Sequence, residues 1–176
     1  FLDLYDPETF ELPEDVQGRF GAREEELRRI YQMYYGQVTA VDVEIGRVMA
    51  GLNELGIAEN TIVFYVSDHG DKLGSHCEQD ESNLRGKGAP YATAFRVPFI
   101  VRWPERIRPH QVCEALVSSV DLTPTILGLA GLEIPGVMQG SSMAWWCLEG
   151  EGVEQEAIYL GLRGASGPGG WRAVWD

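Results

Sequence analysis

Apolar side chains recur at helical spacing over the first third of the chain. Steps of three and four residues place them on one face: Leu27, Ile30, Tyr34, Val38, Val41, Ile45, Val48, Leu52 and Leu55. Three glutamates open this segment, where the positive end of a helix favours acids, and Gly56 follows where a left-handed cap belongs. The pattern predicts one long amphipathic helix, preceded by an irregular arm over residues 1–22.

Two later segments are typical of buried strands. Residues 61–66 (TIVFYV) are β-branched or aromatic and show no alternation, as expected for a strand covered on both faces. Residues 97–104 (VPFIVRWP) form the second candidate, and residues 117–136 predict a helix with Asp121 or Thr123 as its N-cap. This order of elements predicts an α/β layered fold with a mainly parallel sheet flanked by helices.

Length and composition favour one domain. The 176 residues are 44% hydrophobic, enough for a core over residues 23–148, with a loop-rich tail at 149–176 that contains one short strand at AIYLGL. The chain begins at Phe1 and stops on the strand-like run WRAVWD, so we expect it to be a piece of a longer protein.

Net charge bears on the possible partners of the chain, and cysteine spacing bears on disulfides and zinc sites. A formal charge of −13 argues against nucleic acid or an anionic membrane surface. The three cysteines have no Cys-x-x-Cys spacing, so we expect free, buried thiols rather than a disulfide framework or a zinc ribbon. With no apolar run of membrane-spanning length and no signal peptide, the chain is expected to be soluble, in an unknown compartment.

Asp68 and His69 directly follow the first predicted strand. Ligands of open α/β sheets bind at the carboxyl ends of the strands, which is where this pair falls. Asp supplies a hard oxygen and His a nitrogen, and Gly70 would let the backbone bend so that both reach one ion. The pair is a candidate metal site, and an ordinary polar turn is the alternative that spacing alone leaves open.

Lys87 is the second candidate for chemistry. It stands between Gly86 and Gly88 in a long polar stretch, residues 67–90, where it could stabilise charge on a transferring oxyanion or simply be a solvated lysine. A P-loop is excluded because no Ser or Thr follows the lysine.

Other polar and aromatic residues offer weaker alternatives. His76 and Cys77, with His69, could make a soft zinc site, but no fourth ligand has suitable spacing. Arg96 could touch a substrate or form a structural salt bridge. The adjacent Trp145 and Trp146 are expected to pack.

Three segments together resemble a known family. YYGQVTAVDVEIGRVMAGLNELGIAENTIVFYVSDHGDKLGSH, KGAPYATAFRVPFIVRWP and LVSSVDLTPTILGLAGLEIPGVMQGSSM are similar, in order and spacing, to the C-terminal half of the catalytic domain of type I sulfatases, in the alkaline phosphatase superfamily. The likeness covers about residues 30–143. It implies an alkaline-phosphatase-like fold of which only part is present.

The resemblance also implies a chemistry. Sulfatases hydrolyse sulfate esters with a formylglycine nucleophile and a divalent metal. By this likeness Asp68 and His69 are two metal ligands, and Lys87 contacts the sulfate or the leaving group. Family members with Asn at the position of His69 typically use calcium, whereas a histidine leaves manganese open as well.

One departure from the family pattern limits the prediction. Formylglycine arises from a Cys/Ser-x-Pro-x-Arg motif, which the sequence lacks; SGPGG at Ser166 has the proline without the arginine. A second departure is Ala92, where the family commonly has an acid. We therefore expect the nucleophile and two acidic ligands in a missing N-terminal half, and an inactive isolated chain.

The predicted function is thus a fragment of a metal-dependent sulfatase acting on a small-molecule or glycan sulfate ester. One alternative is a phosphonate or phosphate ester hydrolase of the same superfamily. The other is a non-catalytic module that pairs with another chain, or with a second copy, through an exposed sheet edge.

Overall fold

The computed structural model describes residues 1–76, 84–87, 90–161 and 171–176, apart from the side chain of Ala22. These form two compact units: Phe1–Ala58 with His69–Val97, and Glu59–Asp68 with Pro98–Asp176. The candidate residues Cys77 and Ser166 lie outside the described residues. The division into arm, core and tail stays a prediction.

The first unit is built on a long helix. Helix α1 spans Glu24–Glu54 and confirms the predicted amphipathic helix. Gly56, at φ +67°, follows its end, and its N–H donates to the carbonyl of Asn53 at 3.0 Å. The N–H of Ile57 reaches back to Leu52 O at 3.1 Å, which completes a Schellman cap.

The arm before α1 contributes to the core of this unit. It contains three short 3-10 turns, Leu2–Leu4, Pro7–Thr9 and Gly21–Arg23. Apolar residues spaced four apart in the arm pack with residues of α1 and with Leu84 in one buried cluster, formed by Leu12, Val16, Phe20, Leu27, Tyr31 and Leu84. The arm is irregular, as predicted, but it is buried against α1 rather than loose.

The apolar face of α1 is covered only near its beginning. Leu27 is fully buried and Tyr31 is 7% exposed, whereas the same face further on leaves Val38 51%, Val48 62% and Leu55 73% exposed. Packing within this unit therefore supports the first turns of the helix.

Two strand pairs belong to the second unit. Strand β1, Val63–Val66, pairs with β2, Phe99–Arg102, and both lie where the sequence predicted strands. Strand β3, Ile158–Gly161, pairs with β4, Arg172–Trp175. Each described strand is paired antiparallel with its single partner, so the predicted mainly parallel sheet is not confirmed. The expected coverage on both faces is not seen either, since Tyr65 is 37%, Val66 39% and Ile100 58% exposed. An apolar run carries no information on the direction of the neighbouring strand.

Three shorter helices and a fourth 3-10 turn, Ser119–Asp121, complete the described chain. Helix α2, Ala92–Phe95, belongs to the first unit, and α3, Leu122–Leu129, and α4, Ala144–Glu149, to the second. Helix α3 begins after Asp121, as predicted. No helix in the described ranges is long and apolar enough to cross a membrane.

Asp121 is a buried polar centre of the second unit. Its carboxylate is 1% exposed and accepts from Ser118 N at 2.8 Å, Ser141 N at 2.7 Å and Gln155 Nε2 at 2.9 Å. Thr125, also buried, donates to Asp121 O and accepts from Met143 N at 2.9 Å. The N-cap residue of α3 therefore ties this helix to three other parts of its unit.

Candidate active site

The predicted metal pair falls at the end of β1. The strand ends at Val66, and Asp68, two residues on, is exposed, while His69 is half-buried. His69 Nδ1 lies 2.8 Å from Gly70 O. A carbonyl oxygen only accepts, so Nδ1 donates in this contact. Histidines that bind a metal through Nε2 commonly donate from Nδ1 to a backbone carbonyl in this way.

Asp68 and His69 are insufficient for a metal site by themselves. No group of three or more His, Cys, Asp or Glu residues suited to a metal occurs among the described residues. Divalent ions take four to eight ligands in proteins. The donor chemistry fits a divalent ion, and these two residues fill at most part of its coordination shell.

Gly70 is the point of closest backbone approach in this region. A Cβ atom built on it would lie 2.0 Å from Thr93 O in helix α2. The Gly70 N–H donates to Ala94 O at 2.7 Å. Only glycine therefore fits where the chain leaves His69, because helix α2 packs directly on the backbone.

Asp71 organises the loop that carries Lys87, and the sequence analysis missed it. Its Oδ1 accepts from Leu73 N at 3.1 Å and from Gly86 N at 3.2 Å. Its Oδ2 accepts from Arg85 Nε at 3.3 Å, in an ion pair where the Asp71 side chain is 15% exposed. The bond to the N–H two residues ahead is a common role of Asp in turns, so the position after Gly70 held a usable signal.

Lys87 is exposed and immediately follows Gly86. The backbone of Gly86 is held twice, since its N–H is bound by Asp71 and its carbonyl accepts from Lys72 N at 3.0 Å. The ammonium of Lys87 therefore projects from a fixed backbone position into solvent, as a cation that contacts a soluble anion must.

Three contacts anchor this loop to the rest of the first unit. Tyr31 Oη donates to Leu73 O at 3.0 Å, and Leu84 is 4% exposed in the core cluster. Asp15 of the arm accepts from Ser75 Oγ at 3.3 Å and from His76 N at 3.2 Å. Burial first, and then the negative charges of Tyr35, Asp15 and Asp71, raise the pKa of Tyr31 to about 12. The described residues of the long polar stretch are thus held against the arm and α1.

The weaker candidates have different surroundings from those expected. Arg96 is exposed and forms no ion pair within the described part of the chain, so the predicted salt bridge is not seen. Trp145 is 68% exposed rather than packed. His76 stacks on Tyr91, with ring centroids 4.0 Å apart.

The two described cysteines differ in their surroundings. Cys113 is exposed, contrary to the expected buried thiol. Burial, and then the nearby Cys113, raise the pKa of Cys147.

Comparison with known proteins gives a consistent family. The sulfatase family model matches residues 7–132 and so begins within the arm. The chain is 32% identical to an arylsulfatase of Clostridium perfringens over 164 residues, covering 81% of this chain and 32% of the relative. It is 39% identical to an endo-4-O-sulfatase of Bacteroides thetaiotaomicron over 113 residues, covering 63% of this chain and 21% of the relative. The chain thus spans about a fifth to a third of these proteins.

Solved structures agree with this assignment. A protein in complex with its substrate D-glucosamine-2-N,6-O-disulfate matches 92% of this chain and 32% of its own, at 27% identity and a TM-score of 0.78. The phosphonate monoester hydrolase of Silicibacter pomeroyi matches 92% of this chain and 30% of its own, at 32% identity and a TM-score of 0.71. The α/β class is confirmed by these likenesses. The chain belongs to the sulfatase family of hydrolases, in the alkaline phosphatase superfamily.

Proposed function

We propose that this chain supplies one part of the active site of a metal-dependent sulfatase, with Asp68 and His69 as metal ligands and Lys87 as the contact to the sulfate group. The observation that carries the proposal is the family match over residues 7–132, which contains all three residues. The hydrogen-bonded backbone at Gly70 and Gly86 supports it, because His69 directly precedes Gly70 and Lys87 directly follows Gly86.

Asp68 and His69 would hold the metal through a carboxylate oxygen and through Nε2. When bound, a divalent ion polarises the sulfate oxygens and lowers the pKa of a coordinated nucleophile. Calcium is the family expectation, and the nitrogen ligand keeps manganese as an alternative. The remaining ligands would come from the part of the relatives that this chain does not match.

Lys87 would act by charge. In sulfate ester hydrolysis the S–O bond to the alcohol breaks, so negative charge builds on the departing oxygen and on the sulfuryl oxygens. An ammonium placed within 3 Å of either stabilises that charge as it forms. The fixed Gly86 backbone limits the positions that Lys87 can take, which lowers the entropy cost of this contact.

The nucleophile is absent from this sequence. Neither a cysteine nor a serine begins a Cys/Ser-x-Pro-x-Arg motif among the 176 residues. The proposal therefore predicts no sulfate ester turnover by the isolated chain, because the covalent route has no attacking group.

A second candidate is phosphonate monoester hydrolysis in the parent enzyme. It is favoured by the match to the Silicibacter pomeroyi enzyme, which at 32% identity is as similar in sequence as the arylsulfatase relative. The same metal pair and lysine would serve a phosphonate, because both groups present anionic oxygens in a tetrahedral arrangement.

A chimera tests the proposal. Residues 7–132 replace the matching segment of the Clostridium perfringens arylsulfatase, and turnover of 4-nitrophenyl sulfate and of a phenylphosphonate monoester is measured. We expect metal-dependent sulfate ester turnover that falls at least about 100-fold in Asp68→Ala and Lys87→Ala.

Lys72→Ala, at the other lysine of the loop, is the matched control. An active chimera that tolerates both substitutions would refute the assigned roles, and a preference for the phosphonate would select the second candidate.

A further inference from the structure

We propose that the stacked rings of His76 and Tyr91 form a binding platform for a ring on the alcohol part of a sulfate ester whose sulfate is held at Lys87. The inference rests on the proposed role of Lys87. It adds two residues, His76 and Tyr91, that would recognise the ring of the substrate.

The first support is the backbone of His76. Its φ is +56°, a left-handed conformation that residues other than glycine rarely adopt. Such a conformation persists where the surroundings enforce it, and it is common in ligand-binding loops. Here the carboxylate of Asp15 enforces it by accepting from His76 N at 3.2 Å and from Ser75 Oγ at 3.3 Å.

The preceding residues are fixed as well. Leu73, at φ +46°, donates its N–H to Asp71 and accepts from Tyr31 Oη through its carbonyl. Gly74 has φ +91°, and a Cβ there would be tightly placed, 3.0 Å from Leu27 and 3.3 Å from Val16. The chain is thus constrained at each step up to His76, so the position of the His76 ring is determined before any ligand binds.

The second support is the ring pair. The centroids of His76 and Tyr91 lie 4.0 Å apart and the planes differ by 8°. Both side chains are exposed, Tyr91 by 38%. Two aromatic rings that stack on each other at the surface, rather than in the core, leave apolar area in contact with water, which a ring of the ligand can cover.

The third support is the position of the pair relative to Lys87. His76 and Tyr91 lie on either side of Lys87 in sequence, and Lys87 is four residues before Tyr91. Backbone bonds from Lys72 N to Gly86 O and from Gly74 N to Leu84 O pair the two limbs of this loop. His76 and Tyr91 thus place an aromatic pair on the loop that carries the cation.

This arrangement matches a ligand with two different ends. A sulfate group needs a cation, which Lys87 supplies, and an aryl or sugar ring has a face with C–H or π character that packs on aromatic side chains. Alternatively, the stacked pair only holds the loop closed and does not contact the ligand. The two roles predict different effects of ring removal on the affinity for a sulfate ester that has no ring.

Binding of small sulfate esters to the 176-residue chain separates these roles. Dissociation constants are measured by NMR titration for 4-nitrophenyl sulfate and for methyl sulfate, which lacks the ring. We expect wild type to bind the aryl ester roughly three- to tenfold more tightly than methyl sulfate, as aromatic stacking provides. Glucosamine 6-sulfate in a third titration shows whether a sugar ring gains the same preference.

The variants are chosen to remove rings and keep the backbone. His76→Asn retains a residue that tolerates positive φ, and Tyr91→Leu keeps apolar volume. Each should abolish the preference for the aryl ester without changing the affinity for methyl sulfate, and Tyr91→Phe should restore it. Tyr159→Leu, at a tyrosine of β3 that is 62% exposed, is the control and should change neither.

Two results would overturn the platform. If His76→Asn and Tyr91→Leu weaken the binding of both esters equally, the ring pair only holds the loop closed. If the variants keep the preference for the aryl ester, the ring binds elsewhere. Failure of the proposed function has a different signature, namely that Lys87→Ala leaves methyl sulfate binding unchanged. In that case uncharged 4-nitrophenol is titrated: shifts of the His76 and Tyr91 amides support the platform, and their absence refutes it.

Discussion

The carboxylate of Asp71 accepts a hydrogen bond of 3.2 Å from the backbone N–H of Gly86, 15 residues further along the chain. Leu73 N and Arg85 Nε donate to the same carboxylate. A single side chain, two residues after the candidate metal pair, thus holds the residue before the candidate lysine.

Removal of this carboxylate should loosen the loop. Asp71→Ala leaves two backbone N–H groups without their acceptor, so we expect a loss of about 2 kcal/mol in the free energy of unfolding. Asp71→Asn keeps an amide oxygen for them and loses mainly the ion pair with the half-exposed Arg85, which costs less than about 1 kcal/mol. Urea denaturation measures both, and hydrogen exchange at Gly86 should accelerate in the alanine variant. Equal effects of the two substitutions would contradict this account.

Glycine at position 70 should be indispensable. Gly70→Ala puts a Cβ 2.0 Å from Thr93 O, a backbone atom that moves only with helix α2, so we expect a loss of about 3 kcal/mol. Gly46→Ala is the matched control, because nothing lies within 4 Å of a Cβ there and the position is inside α1. It should stabilise the chain by about 1 kcal/mol through helix propensity. Thermal denaturation of both variants checks the sign of each change.

Asp121 should be a main determinant of stability in the second unit. Asp121→Ala leaves Ser118 N, Ser141 N and Gln155 Nε2 without an acceptor in a buried site, so we expect a loss of about 3 kcal/mol. Asp42→Ala, at an exposed position of α1, should change stability by less than about 0.5 kcal/mol. Chemical denaturation followed by circular dichroism gives both values. Similar effects at the two positions would show that the buried bonds contribute little.

Tyr31 should make stability depend on pH in the alkaline range. Its pKa is raised from 10 to about 12 in the folded chain, so the native state holds the phenol proton more tightly than the unfolded state. The stabilisation is complete below pH 10 and is lost as the pH rises through 10 to 12. Between pH 9 and 11.5 wild type should lose about 2 kcal/mol more than Tyr31→Phe.

Tyr159→Phe, at an exposed tyrosine, is the control for this pH series and should follow wild type. Parallel curves for wild type and Tyr31→Phe would show that the burial of Tyr31 does not affect its titration. Denaturation at each pH, monitored by fluorescence, supplies the curves.

Local patterns predicted most of the elements. The 3.6-residue periodicity predicted α1, the apolar runs predicted β1 and β2, and Asp121, one of two candidate N-caps, predicted the start of α3. These signals lie within a few residues of the element that they specify. Sheet direction depends on which strand becomes the neighbour, and that partner is distant in sequence.

The candidate site stays a prediction. Asp68, His69 and Lys87 could be proposed because they follow a strand end or lie in a glycine-rich loop, and because of the family resemblance. The contacts that fix the loop could not, since Asp71 meets Gly86 and Asp15 meets His76 only after folding. The 61 residues between Asp15 and His76 in sequence leave no local pattern to detect.

The partly covered face of α1 gives the helix two ends of unequal stability. Around Leu27 and Tyr31, opening the helix means breaking the core, so those amides should exchange only when the whole unit unfolds. Further along, Val38, Val41 and Val48 are half or more exposed, so this part of the helix depends more on backbone hydrogen bonds and on the cap at Gly56. The chain should therefore open from the C-terminal end of α1, turn by turn, well below its global unfolding transition.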